Sequence, residues 1–396
     1  MVKGSKRHLI YDLSRDRGGG LFHLEKSDYN IIKSVLAKNS DSSFTKEEEE
    51  AKDILLSNNL IEEAKKQKRL KSIKSIRENI KPSFAWIEIT QQCNLKCVFC
   101  YEESDCYVKK QMVMEDFQKA KKFLIDNGIK KIQFIGGEPM LHPQLKDMIR
   151  DCHENFDFIE VYTNATFITQ EWCDFFKEYK INVAASFHSY IEEEFEKITQ
   201  VKGSFTLAKR GVELMVKNEL PLRIAAIENK NVIVGEKPKD IEFTFRIQPP
   251  RLVGRGKINQ FNLEMFKKIV ITKEHFRKPV TKGQVVKAAS GHQCFNRDIY
   301  VAYNLEVFPC VMERRVSHGF ITGEDDSGLI KKNICEFNKD IVEECKKCEF
   351  RYVCYDCRPN CNGGDLMTKP WNCSYNPKTG EWEDTEAMFE RLVDAN

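Results

Sequence analysis

The chain has 396 residues, room for one large domain and one or two small ones, and 41% of them are hydrophobic, an ordinary allowance for a packed core. Its 63 Lys and Arg against 60 Asp and Glu leave a net charge of +3, which gives no electrostatic case for a nucleic-acid partner, and no run reaches membrane-spanning length. Fifteen cysteines with no secretory segment after the basic start argue for metal or redox work in the cytoplasm and against a disulfide framework.

The first predicted elements are two short strands, His8 to Leu13 and Leu21 to Leu24, around Gly18-Gly19-Gly20. Ser27 follows as the N-cap of a helix with an apolar stripe of Tyr29, Ile32, Val35 and Leu36. A second helix is expected from about Thr45, with Glu48 three residues on as in a capping box, to Leu60. This pattern over residues 1–64 resembles the winged-helix leader-peptide recognition domains related to the PqqD chaperone. The resemblance implies that a precursor strand adds to a sheet edge; a plain packing module is the alternative. Basic residues 65–82 read as a linker.

From 83 to 256 strands and helices alternate, which predicts a parallel sheet with crossover helices. Strands are expected to begin near Phe84, Lys131, Phe158, Ile181, Leu222 and Ile241. Met114 to Asn127 carries Phe117, Ala120, Phe123 and Leu124 at helical spacing, and Gly128 stops it. Six strands make an α/β partial (β/α)6 TIM barrel with reactive loops at the C-terminal strand ends. Between Asn229 and Asp240 there is too little chain for a full crossover helix.

Directly after the first strand, Thr90 to Tyr101 reads TQQCNLKCVFCY and spaces Cys93, Cys97 and Cys100 as C-x3-C-x2-C. A structural zinc site wants four ligands, whereas three thiolates on a tight loop suit a cubane cluster with one iron left uncapped. A zinc knuckle or scattered buried thiols are the bland alternatives. With Phe99 before the last cysteine and GGEP at Gly136 to Pro139, the pattern resembles the radical SAM enzyme superfamily.

That resemblance implies a [4Fe-4S] cluster that binds S-adenosylmethionine, reductive cleavage to a 5′-deoxyadenosyl radical, and hydrogen abstraction from an unactivated C–H. It also implies roles for the cofactor-binding residues. Gly136 and Gly137 would let the backbone approach the ligand, and Glu138, before Pro139, would offer a carboxylate to the methionine ammonium. Thr163 and Asn164 match the TNG-type segment, with Ala165 where the family has glycine. Ser186 takes the serine of the SxDG-type segment near the ribose, with His188 and Ser189 in place of Asp and Gly. His188 is then either a substrate-facing catalytic residue or a structural one. Asn229 and the segment Pro249 to Gly256 are candidate adenine or substrate contacts.

After a bridging region, 257–293, the stretch 294–396 holds Cys294, Cys310, Cys345, Cys348, Cys354, Cys357, Cys361 and Cys373. Two C-x2-C pairs alone would suggest a zinc ribbon. The whole pattern resembles the SPASM domain, a cysteine-rich extension that holds two auxiliary [4Fe-4S] clusters. Carried over, the resemblance assigns Cys345, Cys348, Cys354 and Cys373 to one cluster and Cys294, Cys310 and Cys357 to the other. The spacing before Cys357 is one residue short, so Cys361 is an alternative to it, and Leu305 stands where the family has a glycine five before Cys310.

Three thiolates would leave the first auxiliary cluster open to a substrate cysteine, a soft ligand, unless Cys335 or Cys361 closes it. The expected function is therefore a maturase that crosslinks a ribosomally made precursor peptide, with a Cys thioether as the first choice and flavodoxin or ferredoxin as electron donor. C–C or C–O crosslinking is the alternative, as is sulfatase maturation, against which Val311 counts because that family has an aspartate there. A non-catalytic multi-zinc binding protein is the alternative from another class.

Overall fold

This computed structural model describes residues 2–3, 8–11, 21–24, 30–32, 34–35, 38, 43–57, 81–236, 244–276, 282–361 and 365–395. Contacts divide the chain into two compact units. One gathers Met1–Ile80, Val270–Gln293 and Glu336–Met388; the other, the barrel unit, gathers Lys81–Ile269, Cys294–Cys335 and Phe389–Asn396.

In the first unit β1 (Val2–Lys3), β2 (His8–Tyr11) and β3 (Leu21–Leu24) form an antiparallel sheet in that order, with His8 opposite Leu24. The expected glycine turn, the Ser27 cap, Tyr29, Leu36, the end of the second helix at Leu60 and the linker up to Ile80 fall outside the described residues. The second helix, Lys46–Ser57, begins as expected: the Thr45 N–H donates to Glu48 Oε2 at 2.8 Å and the Glu48 N–H to Thr45 Oγ1 at 3.3 Å.

The barrel unit holds the main sheet. β4 (Phe84–Thr90), β5 (Lys131–Gly136), β6 (Phe158–Thr163), β7 (Asn182–Ser186), β8 (Leu222–Ile227) and β9 (Thr244–Gln248) are successive parallel neighbours. The sixth expected start, Ile241, lies outside the described residues, and the described strand begins at Thr244. Burial on both faces explains the mostly apolar strands, as in β5, where Ile132, Gln133, Phe134 and Ile135 are buried in succession. The helix Met114–Asp126 turns Phe117, Ala120, Phe123 and Leu124 into the core, and Gly128, at φ 72°, ends it. No helix is found among the described residues of 229–236.

A seventh parallel strand, β10 (Asp298–Val301), lies on the other side of β4 and pairs Tyr300 with Trp86. β11 (Glu306–Phe308) and β12 (Gly319–Phe320) continue it antiparallel. Residues Cys294–Cys335 thus belong to the same compact unit as the barrel, whereas the sequence keeps 294–396 as one stretch. The physical reason is that β4 has a second hydrogen-bonding edge, and all four residues of β10 are buried on it. Leu305, in the β10–β11 turn, takes φ 70°, the left-handed backbone for which glycine is favoured. Its side chain is buried in the core, and about 1.5–3 kcal/mol of burial outweighs a left-handed cost of about 1–2 kcal/mol.

Within the first unit, β13 (Tyr375–Asn376) and β14 (Glu381–Trp382) pair antiparallel. Around them Phe276 stacks on Phe350 at 4.4 Å and Tyr375 packs at a tilt against Trp382 at 4.5 Å, a compact aromatic core with little regular structure. No described helix is long and apolar enough to cross a membrane.

Candidate active site

The three-cysteine loop leaves the C-terminal end of β4 and is held chiefly by its backbone. The Cys93 N–H donates to the Asp105 carbonyl at 3.0 Å, the Lys96 N–H to Thr199 O at 2.9 Å and the Val98 N–H to Ile198 O at 3.0 Å. Arg255 reaches across to donate to the carbonyls of Cys97 and Ser104, both at 2.8 Å, while its own N–H meets the Cys100 carbonyl at 3.0 Å. Gln260 donates to Val98 O at 2.8 Å. At Gly254, φ 58°, a Cβ would run into the carbonyls of Cys100 and Tyr101. The segment 249–256, expected to touch adenine or substrate, therefore straps the cysteine loop through Gly254 and Arg255.

GGEP meets the same loop. The Gly137 N–H donates to Thr90 O and the Glu138 N–H to Gln92 O, each at 2.8 Å. A Cβ on Gly136 would strike the Thr90 carbonyl, and one on Gly137 the backbone of Gln92. Both glycines thus give clearance to the cysteine loop itself, a role distinct from the close ligand approach expected of them. Glu138 is fully buried and accepts from Thr163 Oγ1 and the Asn164 N–H at 2.7 Å and from the Met140 N–H at 3.1 Å. Burial pushes its carboxyl up to about 7. Three donors leave about one of a carboxylate's four lone-pair sites for a further partner. Pro139, also buried, opens the short turn that follows.

Asn164 joins the two strand ends. Its amide donates to Asn94 Oδ1 at 2.8 Å and faces Cys93 Sγ at 3.9 Å, and Asn94 in turn donates to Thr166 Oγ1 at 2.9 Å. Ala165, replacing the family's glycine, takes φ 64°, and Gly211 is bare because a Cβ there would strike the Ala165 carbonyl. Ser186 closes β7, half-buried and opposite Ala225. His188 is buried with its ring edge-on to Phe99 at 5.0 Å, and its Nδ1 accepts from the Ile227 N–H at 3.2 Å. Burial pulls it down to about 4, so the ring is neutral and packs behind the cysteine loop. Asn229 Oδ1 accepts from the Asn231 N–H at 3.2 Å, which closes its own turn. Asn94, Thr166 and Gln260 carry no sequence signal, since short polar residues beside a motif are ordinary; Arg255 could be suspected only from its place in PPRLVGRG.

The thiols fit an iron–sulfur group. Cys93 and Cys97 are raised chiefly by burial, Cys93 to about 12, and each also feels the charge of Cys100. Such thiols lose their protons only to a strongly positive partner such as a metal. Cys93 Sγ accepts the Leu95 N–H at 3.4 Å, an arrangement suited to a thiolate. All fifteen cysteines are unbridged. No three described His, Cys, Asp or Glu side chains close on the position of one metal ion; in a cubane each thiolate binds a separate iron.

In the first unit Cys345, Cys348, Cys354 and Cys373 form a second group. Cys345 and Cys354 each feel Cys373, and Cys348 feels both Cys354 and Cys345. Burial lifts Cys345 and Cys354 to about 12. Cys348, Cys354 and Cys373 pack on Val285, Phe350, Val353 and Tyr375. Cys294 precedes β10 and Cys310 follows β11, so the antiparallel register puts both at the open end of that hairpin in the barrel unit. Cys310 Sγ accepts the Met312 N–H at 3.5 Å, the arrangement seen at Cys93. Cys357 belongs to the first unit, as does Cys361, which is buried with its thiol 3.9 Å from Leu366 O. Cys335 is buried in the barrel unit, and Cys106 is exposed.

Residues 87–242 match the family described as the Radical SAM superfamily. Among curated proteins, the chain is similar to the antilisterial bacteriocin subtilosin biosynthesis protein AlbA of Bacillus subtilis (strain 168), 31% identical over 154 residues that make up 38% of this chain and 34% of that one. It is also similar to a probable GTP 3′,8-cyclase of Methanocella arvoryzae, 28% identical over 40% of this chain and 51% of that protein. The match thus spans about a third to a half of these relatives. Among solved structures, native anSMEcpe with bound AdoMet superposes with a TM-score of 0.53 over 79% of this chain and 99% of that one, at 21% identity, a likeness of fold. With its three-cysteine loop at the end of β4 and its GGEP turn at the end of β5, the stretch from 87 to 242 is a radical SAM domain.

Proposed function

We propose that the chain is a radical SAM peptide maturase that installs a crosslink, first choice a Cys thioether, in a ribosomally made precursor peptide. The observation that carries this reading is the presence, in one chain, of the three-cysteine loop of a radical SAM domain and a separate, half-buried group of four cysteines. The bacteriocin-biosynthesis relative supports a peptide substrate.

Cys93, Cys97 and Cys100 would hold a [4Fe-4S] cluster, with Glu138, Thr163, Asn164 and Ser186 around S-adenosylmethionine. Cys345, Cys348, Cys354 and Cys373 would hold one auxiliary cluster, and Cys294 and Cys310 would serve as ligands of the other. When bound, the catalytic cluster and its cosubstrate supply a 5′-deoxyadenosyl radical for hydrogen abstraction. The protein's own share is to fix the cysteine loop through Arg255, Gln260 and the two glycines and to keep water from the thiols, which are largely buried. His188, neutral and engaged by Ile227, serves as packing behind that loop. The segment 1–64 would recognise the leader peptide by adding it to an edge of the β1–β3 sheet, and flavodoxin or ferredoxin would bring the electron.

The test is anaerobic reconstitution of the intact chain and of a Cys93, Cys97 and Cys100 to Ala variant. The reading expects about twelve irons per chain, about four fewer in the variant, and 5′-deoxyadenosine only from the intact protein. With precursor peptide, mass spectrometry should show loss of two hydrogens and iodoacetamide-resistant cysteine. About four irons in the intact chain, or zinc in their place, would overturn it.

A further inference from the structure

The first unit buries a set of charged side chains that the proposed function does not use. Lys339, Asp356 and Arg358 are all buried, with Arg358 wholly enclosed. Lys339 Nζ lies 2.5 Å from Asp356 Oδ1 and donates to the Cys354 carbonyl at 2.6 Å. Arg358 pairs with Asp356 Oδ2 and donates to the carbonyls of Leu366 at 2.9 Å and Thr368 at 3.1 Å. His292 Nε2 lies 3.2 Å from the Asp356 carbonyl.

The charges do not cancel. Two cations, Lys339 and Arg358, share one carboxylate. Widening the circle adds Glu349, bonded to the Tyr375 hydroxyl and acting on Cys348, and Lys369, acting on Cys373. An uncompensated charge in a buried site is expensive, and neutral thiols offer no relief. A cubane held by four thiolates does: it is an anion, and reduction adds one more negative charge. Lys339 is placed for this, since its Nζ meets the backbone of Cys354 itself.

We propose that Lys339, clamped by Asp356 beside the Cys354 carbonyl, is a positioning residue whose buried charge raises the reduction potential of the cluster on Cys345, Cys348, Cys354 and Cys373. The inference rests on the reading of those four cysteines as a cluster site. A cation next to the cluster favours its reduced, more negative state, which suits a centre that accepts the electron released as the peptide is oxidised.

The experiment uses the full chain carrying Cys93, Cys97 and Cys100 to Ala, reconstituted anaerobically and titrated with dithionite while EPR follows each reduced cluster. Cys348→Ser identifies the midpoint that belongs to the four-cysteine set. In Lys339→Met that midpoint should shift to a lower potential with iron content unchanged, and Lys339→Arg should restore most of it. An unshifted midpoint in a fully loaded Lys339→Met protein overturns the proposal. If Lys339→Met and Lys339→Gln both lose that cluster's iron while their circular dichroism stays normal, Lys339 serves to hold the loop, and the proposal is likewise overturned. Absence of iron from the triad-free chain with Lys339 intact would instead remove the cluster reading on which it rests.

Discussion

The two cysteine groups are held by different physics. The three-cysteine loop hangs from parallel strand ends, and its geometry comes from backbone contacts: carbonyls tied by Arg255 and Gln260, and clearances at Gly136, Gly137 and Gly254 that no larger residue could give. The four-cysteine group sits among short turns, where the ordering falls to an aromatic core and to the Lys339, Asp356 and Arg358 charges. A site built on backbone clearance should break when atoms are added. A site built on buried charge should break when a partner is removed.

Gly137→Ala is the most severe test of that contrast. Its Cβ would displace Gln92 and with it the cysteine loop, so reconstituted protein should lose about four irons and all 5′-deoxyadenosine formation, while the iron of the four-cysteine group stays. The reverse outcome is expected of Asp356→Ala, which strands two buried cations and should cost about 3–5 kcal/mol, read as an earlier urea midpoint with iron lost first from the four-cysteine group. Equal loss from both sites in either variant would erase the distinction.

A smaller effect sharpens how rigid the barrel unit is. His318 is buried, accepts from the Lys331 N–H at 3.0 Å and is pulled from 6.5 to about 4 by desolvation. The unfolded imidazole takes up its proton first as pH falls, so His318 contributes fully above pH 6.5 and its contribution drains away toward pH 4, by about 3 kcal/mol. Denaturation of His318→Asn across that window should show a shallower pH slope. The mildest change is Ala165→Gly, which relieves a left-handed alanine at φ 64° and should raise stability by up to about 1 kcal/mol in the same assay.

Local rules made much of the fold legible. The stripe of Phe117, Ala120, Phe123 and Leu124 turns inward because helical spacing gives it one face, and Thr45 with Glu48 caps a helix because both partners lie within a single turn. β10 was not legible as a barrel strand: four residues without a crossover helix say nothing about which edge they will join. The departures from the family at Ala165 and Leu305 look in sequence like lost glycines, yet both residues keep the left-handed backbone, because surrounding contacts over-determine the turn.

By itself the sequence determined the alternating strand and helix order, the radical SAM signature of Cys93, Cys97, Cys100 and GGEP, and the existence of a second cysteine-rich region, since spacing and periodicity are properties of neighbours along the chain. Tertiary structure alone decided that Gly136 and Gly137 make room for the cysteine loop, that Arg255 straps it across more than 150 residues of sequence, and that His188 packs as a neutral ring. It also decided that Lys339 stands beside Cys354. These are matters of which atoms meet after the chain has folded back on itself, and they depend on distances and desolvation that no local pattern encodes.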